Sequence, residues 1–93
     1  MRIGALRVYF MIGDSHSLKE KRMVMRSLKD RLLSRFNVSV AEIGSNEKWQ
    51  AGELGIVTVG NDGRFVSSVV EKVKQFLVMD PRISIMDAEI EVL

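Results

Sequence analysis

Apolar and polar residues change rhythm along this chain in a way that predicts six elements. Over residues 3–12 they alternate, so Leu6, Val8, Phe10 and Ile12 would line one face of a strand and Ile3, Ala5, Arg7, Tyr9 and Met11 the other. Gly13-Asp14 breaks the run, and Ser17-Leu18-Lys19-Glu20 reads as a capping box. In it the Ser17 hydroxyl accepts from the Glu20 N–H, and the Glu20 carboxylate reaches back to the Ser17 N–H. Helical spacing of Leu18, Val24/Met25, Leu28, Leu32 and Phe36 then predicts a helix from Leu18 to about Phe36.

Residues 37–44 return to strand character, Ser45-Asn46-Glu47-Lys48 is a turn, and Trp49 to Gly60 makes the partner strand of an antiparallel hairpin. Asn61-Asp62-Gly63 offers an N-cap for a second helix with Val66, Val69, Val70, Val73, Phe76 and Leu77 inward. Asp80-Pro81 stops it, because the residue before a proline is driven out of the helical region. Ile83 to Leu93 is the last strand, with Ala88, Ile90 and Val92 alternating against Glu89 and Glu91. The order βαββαβ predicts an α+β, ferredoxin-like fold: one domain over residues 1–93, a four-stranded antiparallel sheet with two helices on one face and the other face open.

Composition narrows the chemistry. With no Cys and a single His, the chain has no disulfide framework, no thiol nucleophile and no multi-histidine metal site. No apolar run reaches the ~18 residues of a membrane span, and the N-terminus lacks the apolar stretch of a signal peptide. The expectation is a cytoplasmic protein with no metal, no cofactor and no membrane partner. The net charge of +2 hides an asymmetry: residues 1–36 carry nine bases against three acids, residues 37–93 five against nine. Such a field steers a polyanion to one side of the molecule.

No catalytic constellation emerges. His16 lies between Ser15 and Ser17, but adjacent side chains diverge and Ser17 is already used as a cap. Glu89 and Glu91 sit at strand spacing on one face, where no cleft lets two carboxylates flank a substrate. Among activities of the fold, an acylphosphatase needs a Gly-rich phosphate loop where Gly13-Asp14-Ser15-His16-Ser17 places an acid. A metal carrier needs a Cys pair there. An RNA-recognition motif needs aromatics on strand 3, where Leu54-Gly55-Ile56-Val57-Thr58-Val59 has none. The expectation is a protein that is not an enzyme.

Two surfaces remain. Lys19, Arg22, Arg26 and Lys29 fall at helical spacing in a stripe about 15 Å long, with Lys21 beside it, so these five are the candidate phosphate contacts. His16 and Ser17 at the helix N-terminus, where unpaired N–H groups favour anions, form a candidate anion pocket. Bases on a helix are also commonly a solvated outer face. On the open sheet face Ile3, Ala5, Tyr9, Met11, Val57 and Val59, with Trp49 at the rim, would form an uncovered apolar patch suited to a partner or a second copy of the chain.

The blocks Ser15-His16-Ser17-Leu18-Lys19-Glu20-Lys21-Arg22 and Arg35-Phe36-Asn37-Val38-Ser39-Val40-Ala41-Glu42 resemble the bacterial YlxP-like family (domain of unknown function 503). The likeness continues through Trp49-Gln50, Glu53-Leu54-Gly55-Ile56 and Asn61-Asp62 and runs the length of the chain. The resemblance implies a small cytoplasmic protein with a ferredoxin-like fold. The family's gene neighbourhood, among translation genes, implies a ribosome-associated role, and the family brings no catalytic residue with it. The sequence thus leads to a ribosomal particle or structured RNA as partner through the basic helix; the alternative is a homodimer or protein-partner module built on the apolar sheet face.

Overall fold

The computed structural model describes residues 1–44 and 48–93, so Ser45-Asn46-Glu47 of the expected turn lie outside the described residues. The elements are β1 (Arg2–Ile12), α1 (Leu18–Arg35), β2 (Ser39–Glu42), β3 (Ala51–Gly60), α2 (Gly63–Val78) and β4 (Ile83–Val92). All strand pairs are antiparallel, in the order β2-β3-β1-β4, which is the α+β ferredoxin-like arrangement that the pattern predicts. No helix among the described residues is long and apolar enough to cross a membrane.

Strand alternation sorts the sheet into two faces. Leu6, Val8, Phe10 and Ile12 of β1 and Leu54 and Ile56 of β3 point into one core. Met25, Leu28 and Leu32 of α1 and Val70, Val73 and Leu77 of α2 join them there. Two glycines on that face let the helices sit close. A Cβ on Gly4 would lie 2.7 Å from the backbone oxygen of Val66, at the start of α2. A Cβ on Gly52 would lie 2.8 Å from both Met25 Sδ of α1 and the Phe10 ring. Phe10 is the register partner of Gly52, so its ring covers the space beside the glycine.

Boundaries shift where hydrogen bonding ends early. β2 is four residues long rather than eight, because Asn37 is engaged sideways, its carbonyl accepting from Thr58 Oγ1 at 3.0 Å, and Gly44 turns the chain with φ +61°. β3 begins at Ala51, leaving Trp49 before the strand. Leu18 and Val69, expected in the core, are exposed and half-buried respectively, and Lys21 takes the first place on the buried stripe of α1. In β4 the register with β1 slips between Tyr9 and Phe10, so Met86 is an extra residue and the acidic alternation continues on the open face.

A buried carboxylate ties the helices to β4. Asp80 accepts from Arg82 Nε at 3.0 Å, Arg82 Nη2 at 2.8 Å and the Arg82 backbone N–H at 2.9 Å, and from Arg31 Nη1 of α1 at 3.3 Å. Arg82 Nη1 also donates to Ser27 Oγ of α1 at 3.0 Å. These Arg82 hydrogen bonds, more than the burial that opposes them, hold the Asp80 carboxyl below the usual carboxylate range.

Two outcomes follow. Gly4→Ala, which drives a methyl against helix backbone, is expected to cost about 1–3 kcal/mol in urea denaturation. Gly13→Ala, whose Cβ would meet only the Arg82 carbonyl at 4.0 Å, should cost far less, and equal losses would refute the seating argument. For Asp80, a folded-state pKa below the unfolded value stabilises the fold above about pH 3.9, and that stabilisation is lost as pH falls through the folded value. Asp80→Asn should therefore lose about 2 kcal/mol at pH 7 and less at about pH 2. A loss of the same size at both pH values would remove the carboxylate's charge from the explanation.

Candidate nucleic-acid interface

The entry to α1 is closed by the chain itself. Ser17 Oγ accepts from the Glu20 N–H at 3.1 Å, as the capping box predicts. The Glu20 carboxylate, however, accepts from the His16 backbone N–H rather than that of Ser17. This corrects the expected anion pocket at His16 and Ser17: a carboxylate already stands at that helix end and would repel an incoming anion. The positive end of the helix dipole is answered from within.

The seven bases of α1 divide by helix rotation. With Met25, Leu28 and Leu32 buried, Arg31 and Arg35 turn toward α2, and both guanidinium carbons lie 5.1 Å from the centroid of the Phe76 ring. Phe76 meets Phe36 edge-on at 5.8 Å. On the opposite flank Leu18, Lys21, Arg22, Arg26 and Lys29 line a cleft of about 530 Å³, whose other wall is Glu42 at the end of β2. Four of the five predicted phosphate contacts therefore meet in one place, while Lys19 stands outside it.

Their roles differ. Lys21 is buried (3% exposed), which corrects its placement as a surface contact: its spacing to Met25, Leu28 and Leu32 puts it on the core-facing stripe. Burial pushes its ammonium pKa down, while the nearby Glu42 carboxylate acts in the other direction. Lys29 Nζ donates to Glu42 Oε2 at 2.9 Å. No carboxylate among the described residues lies within ion-pair distance of Lys19, Arg22 or Arg26. Arg22 and Arg26, four residues apart on one helix face, repel each other by about 0.2–0.5 kcal/mol, and Glu42 across the cleft is ion-paired to Lys29 rather than to either of them. This arrangement can hold phosphate groups through charge and forked N–H donors.

The open sheet face differs from the apolar patch expected. Arg7 occupies its middle, donating to Glu53 at 2.9 Å, Asp87 at 2.9 Å and Glu89 at 2.7 Å. These carboxylates, Glu89 foremost, raise the Arg7 pKa further above its already high value. The knot splits the apolar residues into two ends. Tyr9, Met11 and Trp49 line a hollow of about 350 Å³ at one. At the other, Ile3 pairs with Val59 and Ala5 with Val57. Alternation already assigns Arg7 and Glu89 to that face in the sequence, but Glu53 and Asp87 reach Arg7 only through strand register. Glu42 is likewise invisible to spacing arguments, because α1 and β2 meet only in the folded chain.

A family model described as a protein of unknown function (DUF503) matches residues 3–90. The uncharacterized protein YlxP of Bacillus subtilis (strain 168) is 35% identical over 81 residues, which is 87% of this chain and 88% of that protein. Matched along nearly its whole length, the chain belongs to the DUF503 family.

Proposed function

We propose that this chain is a non-enzymatic, ribosome- or RNA-associated binding domain, serving translation or ribosome maturation through the β2-side flank of α1. The observation that carries the reading is the gathering of Arg22, Arg26 and Lys29 in one cleft, with Glu42 the single carboxylate among its described lining residues. Of these bases only Lys29 has an ionic partner among the described residues. Phosphates supply the missing anions, and their neutralisation releases counterions, so binding weakens as salt rises. The described lining contains no aromatic side chain on which a base could stack, which favours recognition of backbone and shape over sequence.

The alternative, assembly of copies through the sheet face, is less well supported. Arg7 is surrounded there by three carboxylates, so two such faces brought together would set net negative knots against each other. Trp49 and Tyr9 remain exposed enough for a smaller contact at one end.

The triple reversal Arg22→Glu, Arg26→Glu, Lys29→Glu is expected to abolish co-sedimentation with ribosomal particles and binding to a structured RNA. Circular dichroism and the melting temperature should stay near those of the parent. With three phosphates engaged, the plot of log affinity against log salt should have a slope of about −2 to −3. Unchanged co-sedimentation of the folded triple variant would overturn the proposal. Loss on Tyr9→Glu in its place, together with a light-scattering mass that falls from dimer to monomer, would favour assembly.

A further inference from the structure

One group in the cleft has the wrong sign for holding phosphate. Glu42 faces Lys21, Arg22, Arg26 and Lys29. Its Oε2 accepts from Lys29 Nζ, while its other oxygen has no hydrogen-bond partner among the described residues. The side chain is about one-third exposed (36%), so a bound ligand can reach it. An ionised carboxylate only accepts hydrogen bonds. Beside a bound polyanion it costs affinity unless the ligand brings it a donor.

Phosphodiester oxygens carry no proton at neutral pH and cannot be that donor. Base amines can, but they lie far from the backbone and differ from base to base, and no aromatic side chain among the described residues lines the cleft to hold a base in place. The ribose 2′-hydroxyl is the donor that accompanies the phosphate at every step of an RNA chain, and it is absent from DNA. Carboxylates accept from ribose hydroxyls in dinucleotide sites for the same reason.

We infer that the cleft distinguishes RNA from DNA, with Arg22, Arg26 and Lys29 holding neighbouring phosphates and Glu42 accepting the hydrogen bond of an intervening ribose 2′-hydroxyl. This rests on the RNA-binding reading above. Glu42 is then a specificity residue: it lowers affinity for any polyanion and returns that loss only to one with a sugar hydroxyl. Lys29, bound to one oxygen, holds the carboxylate at the rim with its other oxygen open to the ligand.

The test is a fluorescence anisotropy titration of one hairpin sequence made as RNA, as 2′-fluoro RNA and as DNA, at fixed salt. The 2′-fluoro form keeps the A-form helix and lacks the donor, which separates hydrogen bonding from helix shape. The parent protein should bind RNA about tenfold more tightly than the other two, the scale of one hydrogen bond to a charged group. Glu42→Ala should bring all three within about twofold of each other, with DNA bound more tightly than by the parent. Glu42→Gln, which keeps an acceptor without the charge, should retain a preference for RNA and bind all three more tightly. Equal binding of RNA and 2′-fluoro RNA by the parent would overturn the inference while leaving RNA binding in place. So would a Glu42→Ala variant that gains affinity for all three in equal proportion. Failure of every hairpin to bind would instead overturn the underlying reading, and this inference with it.

Discussion

The rotation of α1 on the sheet is set by how closely the helix can approach, and the placement of every cation on it follows. Gly52 leaves room for Met25 and the Phe10 ring to meet over β3, where a methyl group would stand 2.8 Å from each. With Met25 held down, Leu28 and Leu32 complete the apolar seam at helical spacing. The residues just round the helix then have no freedom: Arg22, Arg26 and Lys29 must face β2, and Arg31 and Arg35 must face α2. A charge pattern that resembles an ordinary solvated helix in the sequence is thus divided by core packing into two sets with different environments.

The two sets are treated differently by their neighbours. On the α2 side Arg31 reaches Asp80 and shares the Phe76 ring with Arg35, so those bases are bound into the fold. On the β2 side Arg22 and Arg26 stand four residues apart with no ion pair to either among the described residues, a repulsion worth a few tenths of a kcal/mol against the helix. Unfavourable charge kept together in a concave place is a common signature of a binding site, where stability gives way to function. The polyanion reading draws its support from this contrast rather than from the number of bases.

Much of the fold was legible because each signal is local. Alternation marks both faces of β1, Ser17 and Glu20 mark the start of α1, and Pro81 marks the stop after α2. The site was legible in part. The stripe of bases was visible, yet Lys21 shares its spacing with Met25, Leu28 and Leu32, and a residue at the border of two stripes can belong to either. Its long alkyl stem makes burial feasible, and only the packed structure decides. Glu20 illustrates a second limit: the capping box was correct in type, but which backbone N–H the carboxylate takes depends on loop geometry that side-chain identity does not specify. The Arg7 knot illustrates a third, since partners 46 and 80 residues away meet only through the register of three strands.

That knot also bears on how the open sheet face would meet a second copy of the chain. An uncovered face and a ten-residue edge strand, β4, are the features that ordinarily invite pairing with another chain. Here Asp87, Glu89 and Glu91 stand at alternate positions along that edge, so a second β4 laid against it would meet the same acids. Arg7 offsets only part of the charge, leaving the face negative while satisfying the carboxylates nearest the centre. Acids thus dominate the open face and its β4 edge, while the bases of α1 lie on the covered side of the sheet. On the polyanion reading proposed above, one side repels a copy of itself and the other offers its cations to a partner of opposite sign.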